Sequence, residues 1–212
     1  MREAFFDIPP KPLLLRRPTL LVFGGSQGAH AINQAMIESL NGLKHKIPDI
    51  HVIHQTGERD YDAVFASYQQ FGMTKTGEDS VATSGEVYRF INDMPAMFAR
   101  ADLLVCRSGA STVGEITAAG KPAIFVPFPR AADDHQNVNA RALERAGAAV
   151  VVEESKLEAA YLVDTIAMLL ADRRRLEAMS AAAKSLAHPK AVEEIAAMVQ
   201  GLAGDFASAD ER

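Results

Sequence analysis

Cysteine is almost absent: Cys106 is the single thiol in 212 residues. An internal disulfide is thereby excluded, and the composition fits a reducing compartment. No apolar run approaches the roughly 18 residues of a membrane span. Residues 1–7 are polar and mixed in charge, and Leu13-Leu14-Leu15 is too short for the core of a secretory signal. A cytoplasmic protein is the expectation, with a peripheral place on a membrane surface left open. Basic tracts are missing too, and with a formal net charge of -5 nothing favours a nucleic-acid partner. No internal repeat and no low-complexity linker divides the chain.

What is present is ordinary for a globular protein: 48% hydrophobic and 23% charged residues. The length suits one large α/β domain with a sizeable core. Pro9, Pro10, Pro12 and Pro18 keep the first 18 residues extended, as a segment leading into a domain over 19–203. Segments that read as strands stand at 19–23, 52–56, 86–91, 103–106, 123–128 and 148–152. Between them helices are predicted over 29–43, where apolar residues recur at helical spacing, and over 58–71, 111–119 and 135–146, and two or three alanine-rich helices close the chain over 158–170, 173–187 and 191–202. A short helix over Met97 and Phe98 is capped by Asn92 or Asp93, a loop fills 72–85, and a polar frayed tail covers 204–212. Strand alternating with helix implies a parallel sheet covered on both faces, with ligands at the carboxyl ends of its strands.

The chain is organised around the stretch from Leu103 to Glu115. A buried strand passes through the small residues Ser108, Gly109 and Ala110 into a helix. Nothing bulky covers that turn, so a ligand can approach the backbone. Ser111 or Thr112 is placed to cap the helix, and the free N–H groups of its first turn suit a phosphate or diphosphate. Glu115 lies one turn in, where a carboxylate can accept bonds from sugar hydroxyls. A plain strand-to-helix turn with a capping box explains the same residues equally well. A second turn of this kind follows the first strand, in Gly24-Gly25-Ser26-Gln27-Gly28-Ala29. It departs from the G-x-G-x-x-G pattern, and packing alone would also account for its glycines. No acidic residue closes the next strand cleanly, which counts against NAD.

Other residues keep two readings open. Arg107 adds charge near a diphosphate, or pairs with a neighbouring helix. Gln136 and Asn139 share a helix face, either toward a ligand or as helix-start residues. Asp133-Asp134-His135 are consecutive and do not converge on one metal ion. Cys106 lies in an apolar strand and reads as packing rather than as a nucleophile.

Four motifs occur in order: Gly24-Gly25-Ser26-Gln27-Gly28-Ala29; Phe90-Ile91-Asn92-Asp93-Met94; Cys106-Arg107-Ser108-Gly109-Ala110 with Glu115; and His135-Gln136 with Asn139-Ala140. Together they resemble the carboxyl-terminal half of the MurG family of peptidoglycan N-acetylglucosaminyltransferases. The resemblance implies a Rossmann-like domain, one half of a GT-B glycosyltransferase, that binds UDP-N-acetylglucosamine without a cofactor or a metal. The acceptor, a lipid-linked muramyl-pentapeptide, and the family's proposed catalytic histidine belong to the other half. The sequence looks like the donor-binding half alone, which is expected to bind donor and turn over little. The implied setting is the cytoplasmic face of the inner membrane, in cell-wall synthesis, cell shape and division.

Carried over residue by residue, Gly25, Ser26, Gln27 and Gly28 would approach the diphosphate. The backbone of Ile91 would bond the uracil edge, with Phe90 beside it. The turn of Arg107, Ser108, Gly109, Ala110, Ser111, Thr112, Val113 and Gly114 would hold the diphosphate at the helix start. Glu115 would take the ribose hydroxyls, and Gln136, with Asn139, the N-acetylglucosamine. Arg2 matches a family arginine near the nucleotide. Two competing expectations remain: a GT-B half of the UDP-sugar 2-epimerase kind, and a non-catalytic nucleotide-binding module.

Overall fold

The computed structural model describes residues 3–9, 17–74 and 84–209, with side chains through residue 200. Six strands form one sheet: β1 Thr19–Phe23, β2 His51–Gln55, β3 Gly85–Tyr88, β4 Leu103–Cys106, β5 Ala123–Phe125 and β6 Ala149–Val151. The helices among the described residues are α1 His30–Lys46, α2 Tyr61–Gln70, α3 Met94–Arg100, α4 Ala110–Ala119, α5 His135–Arg145, α6 Ala159–Ala171, α7 Arg173–Ser185 and α8 Ala191–Ala209. Every pairing is parallel, in the order β3-β2-β1-β4-β5-β6. The order reverses between β1 and β4, which pair through Val22 with Val105 and Phe23 with Cys106. Loops leaving neighbouring strands at such a reversal turn to opposite faces and open a crevice between them.

Strands β1, β4, β5 and β6 are apolar almost throughout because both faces are covered, whereas β2 carries His51, His54 and Gln55 and β3 carries Glu86. Leu20 and Val22 pack on one side with Ile32, Met36 and Leu40 of α1 and Leu162 and Ile166 of α6. Leu21 and Phe23 face the other side, with Ile116 and Ala119 of α4 and Leu143 of α5. Cys106 is fully buried in that second layer, and burial pushes its thiol well above the usual range, as suits a packing residue.

Several expected boundaries move. The leading segment is not wholly extended: Glu3–Phe5 makes a 3-10 turn, and Phe5 is buried edge-on against Phe98 at 5.1 Å. An aromatic ring has more to gain in the core than an extended lead has in solvent. Helix α2 starts at Tyr61 rather than 58, because Gly57 turns the chain first. Strand β3 ends at Tyr88 and β5 at Phe125, where their ladders end, so Phe90, Ile91 and residues 126–128 lie in the following loops. Helix α8 runs on to Ala209, so residues 204–209 are helical rather than frayed. Most of the expected loop over 72–85, and Arg2, lie outside the described residues.

Candidate functional site

The crevice at the reversal is framed by two helix starts that no side chain caps. Ala29 precedes α1 in an extended conformation, and Gly109 precedes α4 at φ -62° and ψ 152°. Each carbonyl already accepts the first helical bond, Asn33 N–H to Ala29 at 2.9 Å and Val113 N–H to Gly109 at 2.9 Å. Ser111 and Thr112 therefore lie inside the first turn of α4 and do not cap it, contrary to the expectation from sequence. A glycine with the extended backbone of an N-cap begins the helix without a hydroxyl. The first N–H groups of both helices keep no side-chain cap, and they carry the positive end of the helix dipole.

The glycine loop before α1 is shaped by contact with the loop after β2. Gly28 has φ +76°, and a Cβ there would stand 1.8 Å from the carbonyl oxygen of Thr56. Gly25, Ser26 and Gln27 are exposed on the rim. The rim on the α4 side is tied to α5. Ser108 is buried, and its hydroxyl donates to the Gln136 carbonyl at 2.7 Å. Asn139 Nδ2 donates to the Ser108 carbonyl at 3.1 Å, and Gln136 Oε1 accepts from the Phe128 N–H at 3.0 Å. Asn139 thus braces the turn from behind, and Ser108 has only backbone to offer a ligand. Gln136 keeps its Nε2 group as a donor at the rim. Asp133 and Asp134 just before α5 adopt φ +50° and +52°, a left-handed pair uncommon outside glycine.

Ala110 and Ser111 are exposed, and Thr112, Val113, Gly114 and Glu115 are half-buried along the first turns of α4. Arg107 is engaged by protein groups: Nη2 pairs with Glu154 at 2.5 Å, Nη1 donates to the carbonyls of Val126 and Pro127, and the guanidinium lies 5.3 Å from the Phe128 ring. On the β2–β3 side, the Ile91 side chain is buried and Phe90 is 53% exposed. The fold thus gathers the glycine loop, Phe90 and Ile91, the α4 start and Gln136 at the carboxyl end of one sheet.

Sequence reasoning missed two features here. Gln55, at the end of β2, donates from Nε2 to the Gly25 carbonyl at 2.8 Å and accepts the Ile91 N–H on Oε1 at 2.9 Å. Behind it lies a buried polar cluster. His54 reaches Asn33 Oδ1 at 3.0 Å and the Tyr68 hydroxyl at 3.2 Å, and Asn33 Nδ2 donates to the Thr56 carbonyl and to Asp60. Asp60 also meets His30 Nδ1 at 3.0 Å. Burial pulls the His54 ring down to about 3, so it stays neutral. Burial alone would raise the Asp60 carboxyl, but bonds from Asn33 and His30 hold it below its usual value. The signal available was His54-Gln55-Thr56 itself, a polar run at the end of a buried strand, since buried polar groups are paired.

A cavity of about 720 Å³ opens at the opposite end of the sheet, among Phe6, Ile8, Asp102, Lys121, Leu176 and Lys184. It collects the amino ends of β4 and β5 and shares no residue with the crevice.

Residues 19–195 match the Glycosyltransferase family 28 C-terminal domain. The chain belongs to that family. A protein of Anaeromyxobacter sp. (strain Fw109-5), named UDP-N-acetylglucosamine--N-acetylmuramyl-(pentapeptide) pyrophosphoryl-undecaprenol N-acetylglucosamine transferase, is 48% identical to this family 28 domain, over 85% of this chain and 45% of that protein. The like-named protein of Solibacter usitatus (strain Ellin6076) is 40% identical, over 96% of this chain and 52% of its own. The crystal structure of Acinetobacter baumannii MurG is similar with a TM-score of 0.75 and 32% identity, covering 91% of this chain and 55% of that one. The family 28 domain therefore spans about half the length of the curated relatives it matches. Likeness to the S. aureus MnaA-UDP co-structure, at TM-score 0.64 and 12% identity over 95% of this chain and 48% of that one, concerns the fold alone.

Proposed function

We propose that this family 28 domain is the donor-binding half of an inverting glycosyltransferase. The full enzyme moves N-acetylglucosamine from UDP-N-acetylglucosamine to a lipid-linked muramyl-pentapeptide, converting lipid I to lipid II in peptidoglycan synthesis. The observation that carries the reading is the pair of uncapped helix starts, α1 and α4, facing one crevice at the sheet reversal.

In this reading the diphosphate lies across the glycine loop of Gly25, Ser26, Gln27 and Gly28 and the first turn of α4, with Gly109, Ala110, Ser111 and Thr112 offering backbone N–H groups. Those donors stabilise the charge that grows on the leaving diphosphate as the sugar bond breaks, which is where preorganised dipoles act most strongly. Glu115 holds the ribose hydroxyls, Phe90 and the Ile91 segment meet the uracil, and Gln136 meets the sugar. Arg107 serves as a brace through Glu154. Acceptor and general base come from the remainder of the full-length enzyme. Among the described residues no helix is long and apolar enough to cross a membrane; the proposed place is the cytoplasmic face of the inner membrane, held peripherally.

Calorimetry on the folded chain with UDP and with UDP-N-acetylglucosamine tests the reading. Saturable binding of both is the expected result. No binding of either at millimolar ligand overturns it.

A further inference from the structure

Gln55 touches both sides of the crevice while hiding from it. It is 1% exposed, so no ligand reaches it, yet its single amide holds the Gly25 carbonyl and the Ile91 N–H. These belong to loops leaving different strands, β1 and β3. We infer that Gln55 is a positioning residue that sets base selectivity, by turning one peptide of each loop toward the ligand.

The argument is the planarity of the peptide unit. In a trans peptide the carbonyl and the N–H point in opposite directions, and every peptide bond among the described residues is trans. The Gly25 carbonyl is drawn down onto Gln55 Nε2 and also accepts the Gly28 N–H at 2.9 Å, which turns the Ser26 N–H away from the core, toward the rim. Holding the Ile91 N–H on Gln55 Oε1 turns the Phe90 carbonyl outward in the same way. Among the described residues neither the Ser26 N–H nor the Phe90 carbonyl has a hydrogen-bond partner. One buried amide thus presents a donor on the phosphate side and an acceptor on the base side. An outward acceptor takes the N3–H of uracil. Cytosine carries a bare lone pair at that position and is repelled.

This inference rests on the donor-binding reading, and its test separates the two. Amide hydrogen exchange on the ligand-free chain comes first. The Ile91 N–H lies outside any strand or helix, so its slow exchange reports the clamp. Gln55→Met keeps the bulk and removes both bonds, and Ile91 exchange is expected to quicken while amides in β1 and β4 hold. Calorimetry then compares UDP with CDP. The expected result is a UDP affinity lowered roughly tenfold or more in Gln55→Met, with the preference for UDP over CDP reduced. Gln55→Glu keeps the acceptor for Ile91 and sets a carboxylate against the Gly25 carbonyl. It should lose UDP affinity while retaining the preference, and it stands in if Gln55→Met fails to fold. A wild-type chain that binds neither nucleotide overturns the donor-binding reading and this inference with it. Binding by the wild type, with affinity and preference unaltered in the folded variants, overturns the role of Gln55 alone.

Discussion

Gly28 and Gly57 meet backbone to backbone, and the peptide that precedes each fills the space a side chain on the other would need. A Cβ on Gly28 would stand 1.8 Å from the Thr56 carbonyl oxygen, and one on Gly57 would stand 2.0 Å from that of Gln27. Both residues have positive φ, +76° and +77°. The glycine loop after β1 is therefore seated directly on the turn after β2, and its outline is set by that contact.

Gly28→Ala and Gly57→Ala should each destabilise the domain by at least about 1–3 kcal/mol from backbone strain alone, before the clash is relieved. Denaturant melts of the two variants measure this. A loss below half a kcal/mol in both, in round terms, would mean the loops part freely.

Stability should rise with pH through the mildly acidic range because of His54. Burial lowers this ring from the ordinary 6.5 to about 3, so the unfolded chain binds a proton that the folded chain refuses. The contribution is complete above pH 6.5 and declines as pH falls toward 3, by up to about 1.4 kcal/mol per pH unit. Glu86 adds a loss of the same sign at lower pH. Its carboxyl, which burial would raise, is held down to about 2 by bonds from Arg100, Tyr88 and His51, so its share fades between 4.5 and 2. Urea melts between about pH 5 and pH 6.5 isolate the histidine. His54→Gln should flatten the slope there, and an equally steep slope in that variant would assign it elsewhere.

Glu115→Ala should weaken UDP binding by about 1.5–3 kcal/mol, the range for a hydrogen bond to a charged group. The loss should shrink with 2′-deoxy-UDP, which has one ribose hydroxyl fewer. Equal affinities in wild type and variant would remove the ribose role.

Gln136→Glu separates sugar from nucleotide. The variant keeps an acceptor for the Phe128 N–H, which Gln136 Oε1 holds at 3.0 Å, loses the Nε2 donor and adds a negative charge that acts on both ligands. The affinity for UDP-N-acetylglucosamine should fall roughly 2- to 13-fold more than that for UDP, one hydrogen bond's worth. A parallel drop in both ligands would show that the residue shapes the rim and does not touch the sugar.

Much of the molecule was legible from residue order because a parallel sheet covered on both faces leaves a plain trace. Leu20 to Phe23 and Leu103 to Cys106 read as unbroken apolar runs, and α1 and α6 read at helical spacing. The glycines before α1 and α4 were legible for a similar reason: glycine, with no Cβ, lets one backbone come closest to another, or to a ligand. Strand ends were not. Nothing in Glu86 to Ile91 says that pairing stops at Tyr88, since that depends on where the β2 ladder ends. Nor does the sequence around Gly109 show that the helix starts at Ala110, one residue before the hydroxyls of Ser111 and Thr112.

The chain's own order of residues determined the alternation of strand and helix, the parallel sheet it implies and the two small-residue turns at strand ends, because these follow from local sterics and from periodic burial. Only the tertiary structure decided what stands behind those turns. Gln55 meets Ile91 across 36 positions, His54 meets Asn33 across 21, and Arg107 turns to Glu154. A buried polar group must find its partner in space, and the partner's identity depends on which strands lie side by side, which no local pattern encodes.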